Sequence, residues 1–571
     1  MDGVLNVPFE TQVYWCENCK IPVLEDTNKF DYECPLCHSK LKYLSADLRP
    51  VFPQERLLLE AILNKPLAYK EDSVWFCNSR YYINGEVTQI GTKDYDAVDV
   101  EKVIDILEKY KNQNTDTYFN HYIKLFCEAN NSRETLRKEE AKKFIVDSAE
   151  QFNFPKKNIP IKDKNIIISF SGGKDSTVTA DLVIKAIGTT ELVHIFGDTT
   201  LEFPTTIDYS ERYKKSHPKA IFKIAKNSEQ DFMKVCDDIG PPARMMRWCC
   251  SMFKTGPISR TLNNLCNDEK VLTFYGIRKV ESVTRSKYDR LTDDVTANAK
   301  IKKQVDASPI FYWTDLDIWL YILTEEIDFN EAYKLGYDRV GCWCCPNNNN
   351  RAQFLSKIYM PERSKKWRDF LIKFAKSVGK PDAEIYVDSG KWKARQGGNG
   401  VKASEDIKIK FSNCTTEEHA KIYQLNKKAN KDFFGMFTPF GNVNYELGRK
   451  MLGEVLVLDP STNVPIISIQ PFTKEDYEFS IKIKTLNVAN HDELQIKAGY
   501  QVRKFNACRK CLKCESICKN GAISIHGDEY NIDPNKCIHC RMCVNQKFLD
   551  GGCIMSNYLA TSSKYEKENG K

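Results

Sequence analysis

The run Ser171, Gly172, Gly173, Lys174, Asp175, Ser176 has the makeup of an anion cradle. Its glycines let backbone approach a bound anion closely, its amides and hydroxyls offer donors, and Lys174 adds a full positive charge. An apolar stretch, Ile166 to Phe170, comes before it and a helical one, Thr177 to Ala186, after it, which gives a strand, a glycine turn and a helix. The N-terminus of such a helix adds partial positive charge where phosphates would lie. The spacing is not that of a Walker A loop, G-x-x-x-x-G-K-S/T. Asp198, after the next apolar run, is expected at the same edge, because open α/β sheets bind ligands at their strand C-terminal ends.

The second chemistry is that of thiolates. The chain has 22 cysteines against 8 histidines, and its C-x2-C pairs read as metal ligands rather than disulfides. Cys16 and Cys19 with Cys34 and Cys37 suit one tetrahedral Zn²⁺ in a closed ribbon, and a rubredoxin-like iron fits the same spacing. His38 is expected at the surface. Cys508, Cys511, Cys514 and Cys518 have bacterial ferredoxin spacing, with Lys519 in the usual proline position, and Cys537, Cys540 and Cys543 repeat it, completed by Cys553. In two-cluster ferredoxins the fourth cysteine of each run ligates the other cluster. The expected sets are therefore Cys508, Cys511, Cys514 and Cys553, and Cys537, Cys540, Cys543 and Cys518, with zinc the competing reading. Of the remainder, Cys77, Cys127, Cys236, Cys266, Cys344 and Cys414 default to small buried apolar residues.

Cys249 and Cys250, after Arg247 and Trp248, and Cys342, Cys344 and Cys345, between Gly341 and Pro346, bring in a resemblance. Here the chain resembles the phosphoadenylyl-sulfate (PAPS)/adenylyl-sulfate (APS) reductase family. The iron–sulfur branch of that family holds one 4Fe–4S cluster on a C-C pair and a C-x-x-C pair, which implies Cys249, Cys250, Cys342 and Cys345 as its ligands. Gly276 to Arg285 is similar to the family's G-x-R-x-x-E-S-x-x-R, which implies that Arg278 and Arg285 line the substrate site. Pro309 to Trp319 is similar to its P-I-x-x-W-x-x-x-D-I/V-W, and Phe203-Pro204 after Asp198 to its D-T-x-x-x-F-P. The six-residue loop resembles the pyrophosphatase-type (PP) loop of enzymes that adenylate substrates or bind adenylylated ones. Two departures stand out. The reductases usually alter that loop, and an intact one points to members that handle ATP. The E-C-G-L-H motif with the reductases' nucleophilic cysteine is missing, which leaves Cys344, Cys414 or a partner protein as stand-ins.

Apolar runs at Ile166–Ile168, Leu192–Phe196 and Leu272–Tyr275 alternate with helical stretches. The expected fold class is therefore α/β, a parallel-sheet PP-loop core with small zinc-ribbon and ferredoxin-like domains appended. The expected domains are a zinc ribbon at 1–45, a mixed α/β and helical segment at 46–160, the PP-loop unit with its 4Fe–4S site at 161–400, an unassigned α+β stretch at 401–500, a two-cluster module at 501–560 and a disordered tail at 561–571. Pro155 and Pro160 break the chain before the core, and Arg395 to Gly400 reads as a flexible boundary.

No apolar run approaches the ~20 residues of a membrane span, and the N-terminus lacks a secretory pattern. A cytoplasmic protein with no membrane partner is expected. The net charge of +7 fits an anionic ligand or a nucleic acid. Taken together, these readings predict three 4Fe–4S clusters, one Zn²⁺ and an adenine nucleotide as substrate. The function implied is a sulfonucleotide reductase that converts APS or PAPS to sulfite with electrons from a low-potential donor. An ATP-dependent sulfurtransferase acting on tRNA or DNA is the alternative, and a redox sensor that has lost catalysis a third reading.

Overall fold

The structure, a computed structural model, describes residues 11–26, 32–88, 94–113, 116–152, 166–266, 271–293, 304–473, 478–545 and 552–561. Pro155, Pro160 and the expected tail beyond 561 lie outside the described residues.

Strands β1 (Thr11–Cys16), β2 (Ile21–Asp26) and β3 (Lys42–Ser45) form an antiparallel sheet in the order β2-β1-β3. A second small sheet follows, β4 (Arg49–Pro50), β5 (Val74–Cys77), β6 (Arg80–Ile83) and β7 (Glu86–Thr88), paired in chain order. The lysine- and glutamate-rich stretch forms helices Val100–Tyr110 and Asp116–Gln151. The longer helix holds the first sheet through Asn130, which accepts from the Leu24 N–H, and Arg133, which joins Asp26 to Asp317.

The central sheet contains β8 (Ile166–Phe170), β9 (Val193–Asp198), β10 (Ile221–Lys226), β11 (Val271–Phe274), β12 (Leu291–Asp293) and β13 (Gln304–Ala307). Its order is β10-β9-β8-β11-β13-β12, all parallel except the β12 edge. Ile167 packs with Val193, Ile195 and Leu262 on one face, while Ile166, Ile168 and Phe170 pack with Val178, Leu182 and Trp319 on the other. A strand buried on both sides needs an unbroken apolar run, as β8 has. The order turns outward in opposite directions from β8 and β11, so the loops after these two strands flank a crevice.

The unassigned stretch is an antiparallel sheet of β14 (Phe411–Asn413), β15 (Ala420–Leu425), β16 (Asn442–Asn444), β17 (Val455–Leu458), β18 (Pro465–Pro471) and β19 (Phe479–Thr485), ordered β14-β15-β19-β18-β17-β16. Helix His491–Ala507 packs on it and leads into the C-terminal cysteines and the hairpin β20 (Ile523–His526) and β21 (Glu529–Ile532). One apolar core runs from Trp248 and Phe253 through Ile467 and Ile483 to Leu512 and Met555. The expected flexible boundary at 395–400 is instead packed: a Cβ on Gly397 or Gly398 would collide with the Ala560 or Leu559 carbonyl oxygen. Glycine serves close backbone approach there rather than mobility.

Candidate active site and metal centres

The PP-type loop turns between β8 and helix Lys174–Ile187. Gly172 has φ +70°, and a Cβ there would come within 2.8 Å of the Thr206 methyl, so both conformation and space call for glycine. Asn330 donates to the Gly172 carbonyl at 3.1 Å, the Tyr333 hydroxyl accepts the Lys174 N–H at 3.0 Å, and the Ser171 and Ser176 hydroxyls meet at 3.1 Å. A Cβ on Gly276, just past β11, would reach 2.7 Å from the Asp175 carbonyl, so the two flanking loops touch through backbone.

Lys174 and Arg278, 3% and 4% exposed, share two carboxylates. The Lys174 ammonium is 3.2 Å from Asp175 and 3.0 Å from Asp315, and Arg278 donates to Asp175 at 2.5 Å and to Asp315 at 2.8 Å. Arg278 Nη1 is buried without a hydrogen-bond partner. Burial opposes ionisation of Asp175, but the Arg278 and Lys174 charges outweigh it and hold the carboxyl at about 2. Behind them Asp47 accepts the Asp315 and Leu316 N–H groups at 2.8 and 3.0 Å, at the start of helix Asp315–Thr324. Burial, then the Asp315 charge, push the Asp47 carboxyl up to about 7. Asp47 and Tyr333 have no motif around them, and Asp315 is a variable position of the Pro309–Trp319 motif; sequence reasoning singled out none of the three.

These groups line a cleft of about 1690 Å³. Arg285 lines it too, paired with Glu281. Asp198 is placed differently from expectation: its carboxylate pairs with Lys226 at 2.9 Å and accepts the Thr200 N–H, while Gly197 and Thr199 form the cleft wall. Alternation at the strand end turns its side chain away. The N-terminal sheets contribute Asp47, Cys77, Asn78 and Ser79 as the facing wall. A buried charge network fixes that wall, with Glu55 accepting from Arg49 at 2.5 Å and from Arg351 at 2.5 Å, and Arg49 reaching Asp338 at 2.7 Å.

Cys342 also lines the cleft, its sulfur 3.4 Å from the Thr199 hydroxyl, which donates to Glu202 at 2.6 Å. Cys249 is within electrostatic reach of Cys250, Cys342 and Cys345, so the four thiols converge. Cys344 is buried in the apolar core, where burial pushes its thiol well up, and it is not part of the cleft wall. Cys414 sits after β14, its thiol lowered by the Thr416 hydroxyl, and is likewise not part of that wall. Cys77, expected to be a buried filler, is in the wall, and burial brings its thiol up to about 11 despite a hydrogen bond from Ser45. The Cys266 side chain lies outside the described residues.

The sulfurs of Cys16, Cys19, Cys34 and Cys37 lie within 4.8 Å of one another, with Cys16 to Cys37 at 3.5 Å and Cys19 to Cys34 at 3.9 Å. Ligands at about 2.3 Å around one tetrahedral ion fall at such spacings, so this set could hold a metal ion. His38 is exposed, as expected. No other group among the described residues is that tight, and thiolates around a multi-iron cluster must stand further apart because ions and sulfides lie between them. Cys511 is within reach of Cys553, Cys514 and Cys508. Cys537 is within reach of Cys518 and Cys540, and Cys543 of Cys514, Cys518 and Cys537. Both runs carry left-handed residues at matching positions, Lys510 (φ 53°) and Leu512 (φ 61°), His539 (φ 55°) and Arg541 (φ 58°). Non-glycine residues adopt that conformation only where surroundings impose it. The Lys504 ammonium is buried and donates to the Cys543 carbonyl at 2.5 Å; burial opposes its charge, and the neighbouring Cys514, Cys543, Cys553 and Cys508 outweigh that effect. A buried cation beside four cysteines fits an anionic group held between them.

Residues 165–348 match the family model for the phosphoadenosine phosphosulfate reductase domain. An uncharacterized protein of Methanocaldococcus jannaschii is 33% identical over 254 residues, 44% of this chain and 51% of that one. An adenosine 5'-phosphosulfate reductase of Staphylococcus epidermidis is 26% identical over 201 residues, 33% of this chain and 76% of that one. The chain spans about half the length of the first curated relatives it matches. Among solved structures, a phosphoadenylyl-sulfate reductase from Candida auris in a phosphate complex aligns at 17% identity and a TM-score of 0.27, covering 38% of this chain and 96% of that one. The Candida glabrata FMN adenylyltransferase aligns at the same identity and TM-score over 37% and 62%. Among the described residues no helix is long and apolar enough to cross a membrane.

Proposed function

We propose that the chain is an iron–sulfur sulfonucleotide reductase, which binds an adenylyl-sulfate on the Ser171–Ser176 loop and reduces its sulfonyl group to sulfite. The observation that carries this reading is that Cys342, of the Cys249, Cys250, Cys342, Cys345 set, lines the same cleft as Lys174 and Arg278. Phosphate and sulfate oxygens of the substrate would take up Lys174 and the unpartnered Arg278 Nη1. The C-terminal sets would each hold a 4Fe–4S cluster, a group that supplies single low-potential electrons, and the N-terminal set a structural Zn²⁺.

Cys77 is a thiol of the cleft wall outside all four sets, and we assign it the attack on sulfur. The Cys77 sulfur forms a bond to the sulfonyl sulfur, the sulfur–oxygen bond to the nucleotide phosphate breaks, and AMP leaves. Two electrons and one proton then split the Cys77 thiosulfonate into thiol and sulfite. Asp47, whose carboxyl is raised to about 7, is the group to which the thiol proton passes.

A second reading, an ATP-dependent sulfurtransferase, is favoured by the cleft's size. Pockets for small ligands run to about 300–1,000 Å³, and about 1690 Å³ leaves room for a second substrate such as a nucleotide in a chain. The test is anaerobic incubation of reduced protein with APS, PAPS or ATP, with sulfite, AMP and pyrophosphate quantified. Sulfite with AMP from APS, lost in Cys77→Ser with iron retained, is the expected result. Pyrophosphate from ATP without sulfite would replace the reductase with the sulfurtransferase.

A further inference from the structure

The three cysteine sets of the core and the C-terminal module are not scattered. The helix that follows Cys250, Gly256–Cys266, begins against the loop between Cys511 and Cys514: a Cβ on Gly256 would lie 2.6 Å from the Leu512 Cβ. Leu512 is held left-handed and buried there. Tyr558, on the helix that follows Cys553, packs against the same apolar core as Trp248 and Leu512. The junction is clamped by polar bonds that serve no other evident purpose. Arg260 donates to both Glu515 oxygens, at 2.8 and 3.0 Å, and to the Ile525 carbonyl at 2.5 Å, while Glu229 accepts the Gly527 N–H at 2.7 Å. Arg509 ties the same loop to Asp238 at 2.5 Å and to Asp406.

The sets differ in exposure. Cys540 is exposed, with Cys537 and Cys518 half-buried and Cys543 buried; Cys511, Cys514 and Cys553 are buried and Cys508 half-buried; Cys249, Cys250, Cys342 and Cys345 are half-buried. Beyond them Cys342 opens on the nucleotide cleft. The Cys518, Cys537, Cys540, Cys543 set carries the exposed cysteine, the Cys508, Cys511, Cys514, Cys553 set meets the helix after Cys250 through Leu512, and the Cys249, Cys250, Cys342, Cys345 set reaches the cleft, which orders them as outer, middle and inner.

We infer that these sets form a linear electron relay, in which the Gly256 and Leu512 contact joins the middle set to the inner one and electrons from the outer set reach the inner one through the middle. The inference rests on the proposed iron–sulfur reading and holds for either substrate. A low-potential one-electron donor outside the chain is oxidised at the outer set. Each electron then passes to the middle set and to the inner set, with no bond made or broken, and two such passages supply one thiosulfonate cleavage at the cleft.

The order is read by electron paramagnetic resonance of full-length, dithionite-reduced protein, in which neighbouring reduced clusters split and broaden each other's signals. Cys540→Ser disables the outer site and should leave an interacting pair, and so should Cys249→Ser at the inner site. Cys511→Ser disables the middle site and should collapse the spectrum to two non-interacting signals. Arg260→Glu keeps every cysteine and places like charges against Glu515 and Glu229. It should retain all iron while the inner set loses its interaction. Loss of one cluster's iron with the interaction surviving in Cys511→Ser, or an Arg260→Glu spectrum identical to wild type, overturns the relay and leaves the cofactor reading standing. Wild-type protein reconstituted with iron and sulfide that holds no iron overturns both.

Discussion

Two buried cations and two half-buried carboxylates meet where the loop leaves β8. Lys174 and Arg278 each bridge Asp175 and Asp315, so an arriving anion exchanges one set of charged partners for another. Removing one such charge-assisted contact is worth about 1.5–3 kcal/mol. Lys174→Ala is therefore expected to weaken nucleotide binding roughly ten- to hundredfold with iron content unchanged, as isothermal titration calorimetry and iron assay would show. Asp47, facing Asp315, Arg278 and Cys77, adds a pH dependence. Its carboxyl is neutral below about 7 in the folded chain and ionises near 4 when unfolded, about 3.9 in model peptides. The folded state thus binds the extra proton between these values, and the contribution of Asp47 to stability falls as pH rises from about 4 to about 7. Above that range its anion also repels a phosphate. Nucleotide affinity should drop as pH passes 7 in the wild type and stay level in Asp47→Asn. Identical pH profiles for the two proteins would remove Asp47 from the site. The role of Asp47 and Asp315 was not legible in the sequence, because they come together only where the chain before β4 packs against helix Asp315–Thr324.

The elements explain why some residues could be read early and others could not. The loop was legible because strand, glycine turn and helix are contiguous, and Arg278 and Arg285 because their motif follows directly after β11. Asp198 was misjudged by the alternation of one strand end, a matter of a single residue's parity. Gly397 and Gly398 were read as a hinge because glycine looks the same in sequence whether it frees a chain or lets two backbones touch. Gly276 is of the second kind. A Cβ there needs the space of the Asp175 and Ser176 backbone, and overpacking of this sort costs typically 1–3 kcal/mol. Gly276→Ala should lower the melting temperature by a few degrees and displace the loop, so that nucleotide affinity falls by more than the stability loss explains. Wild-type affinity in the folded variant would show that the two loops move independently.

Across the whole molecule, the N-terminal sheets and the central α/β unit enclose one cleft, and the C-terminal module shares the apolar core that holds the Cys249–Cys250 turn. The α/β class and its parallel sheet were legible from apolar periodicity alone. The antiparallel sheet at 411–485 was not, since its short strands carry no motif. Its place in the core from Trp248 to Met555 gives it a physical role as the packing that presses the cysteine module against the Cys249–Cys250 turn. Anaerobically prepared protein is expected to contain about twelve iron and one zinc per chain. Cys342→Ser should lower iron by about four, and Cys16→Ser should remove zinc alone. Loss of iron from the Cys16 variant would reassign that site to iron.

The most direct test of the central claim is a rapid-mixing experiment. Protein reduced through its own thiol-bound clusters, with excess reductant removed, is mixed with APS while cluster absorbance and sulfite are followed together. Reoxidation of two electrons for each sulfite formed, absent in Lys174→Ala, is the predicted result. Clusters that stay reduced while no sulfite forms from APS or PAPS would contradict a sulfonucleotide reductase whose electrons reach the cleft through this chain.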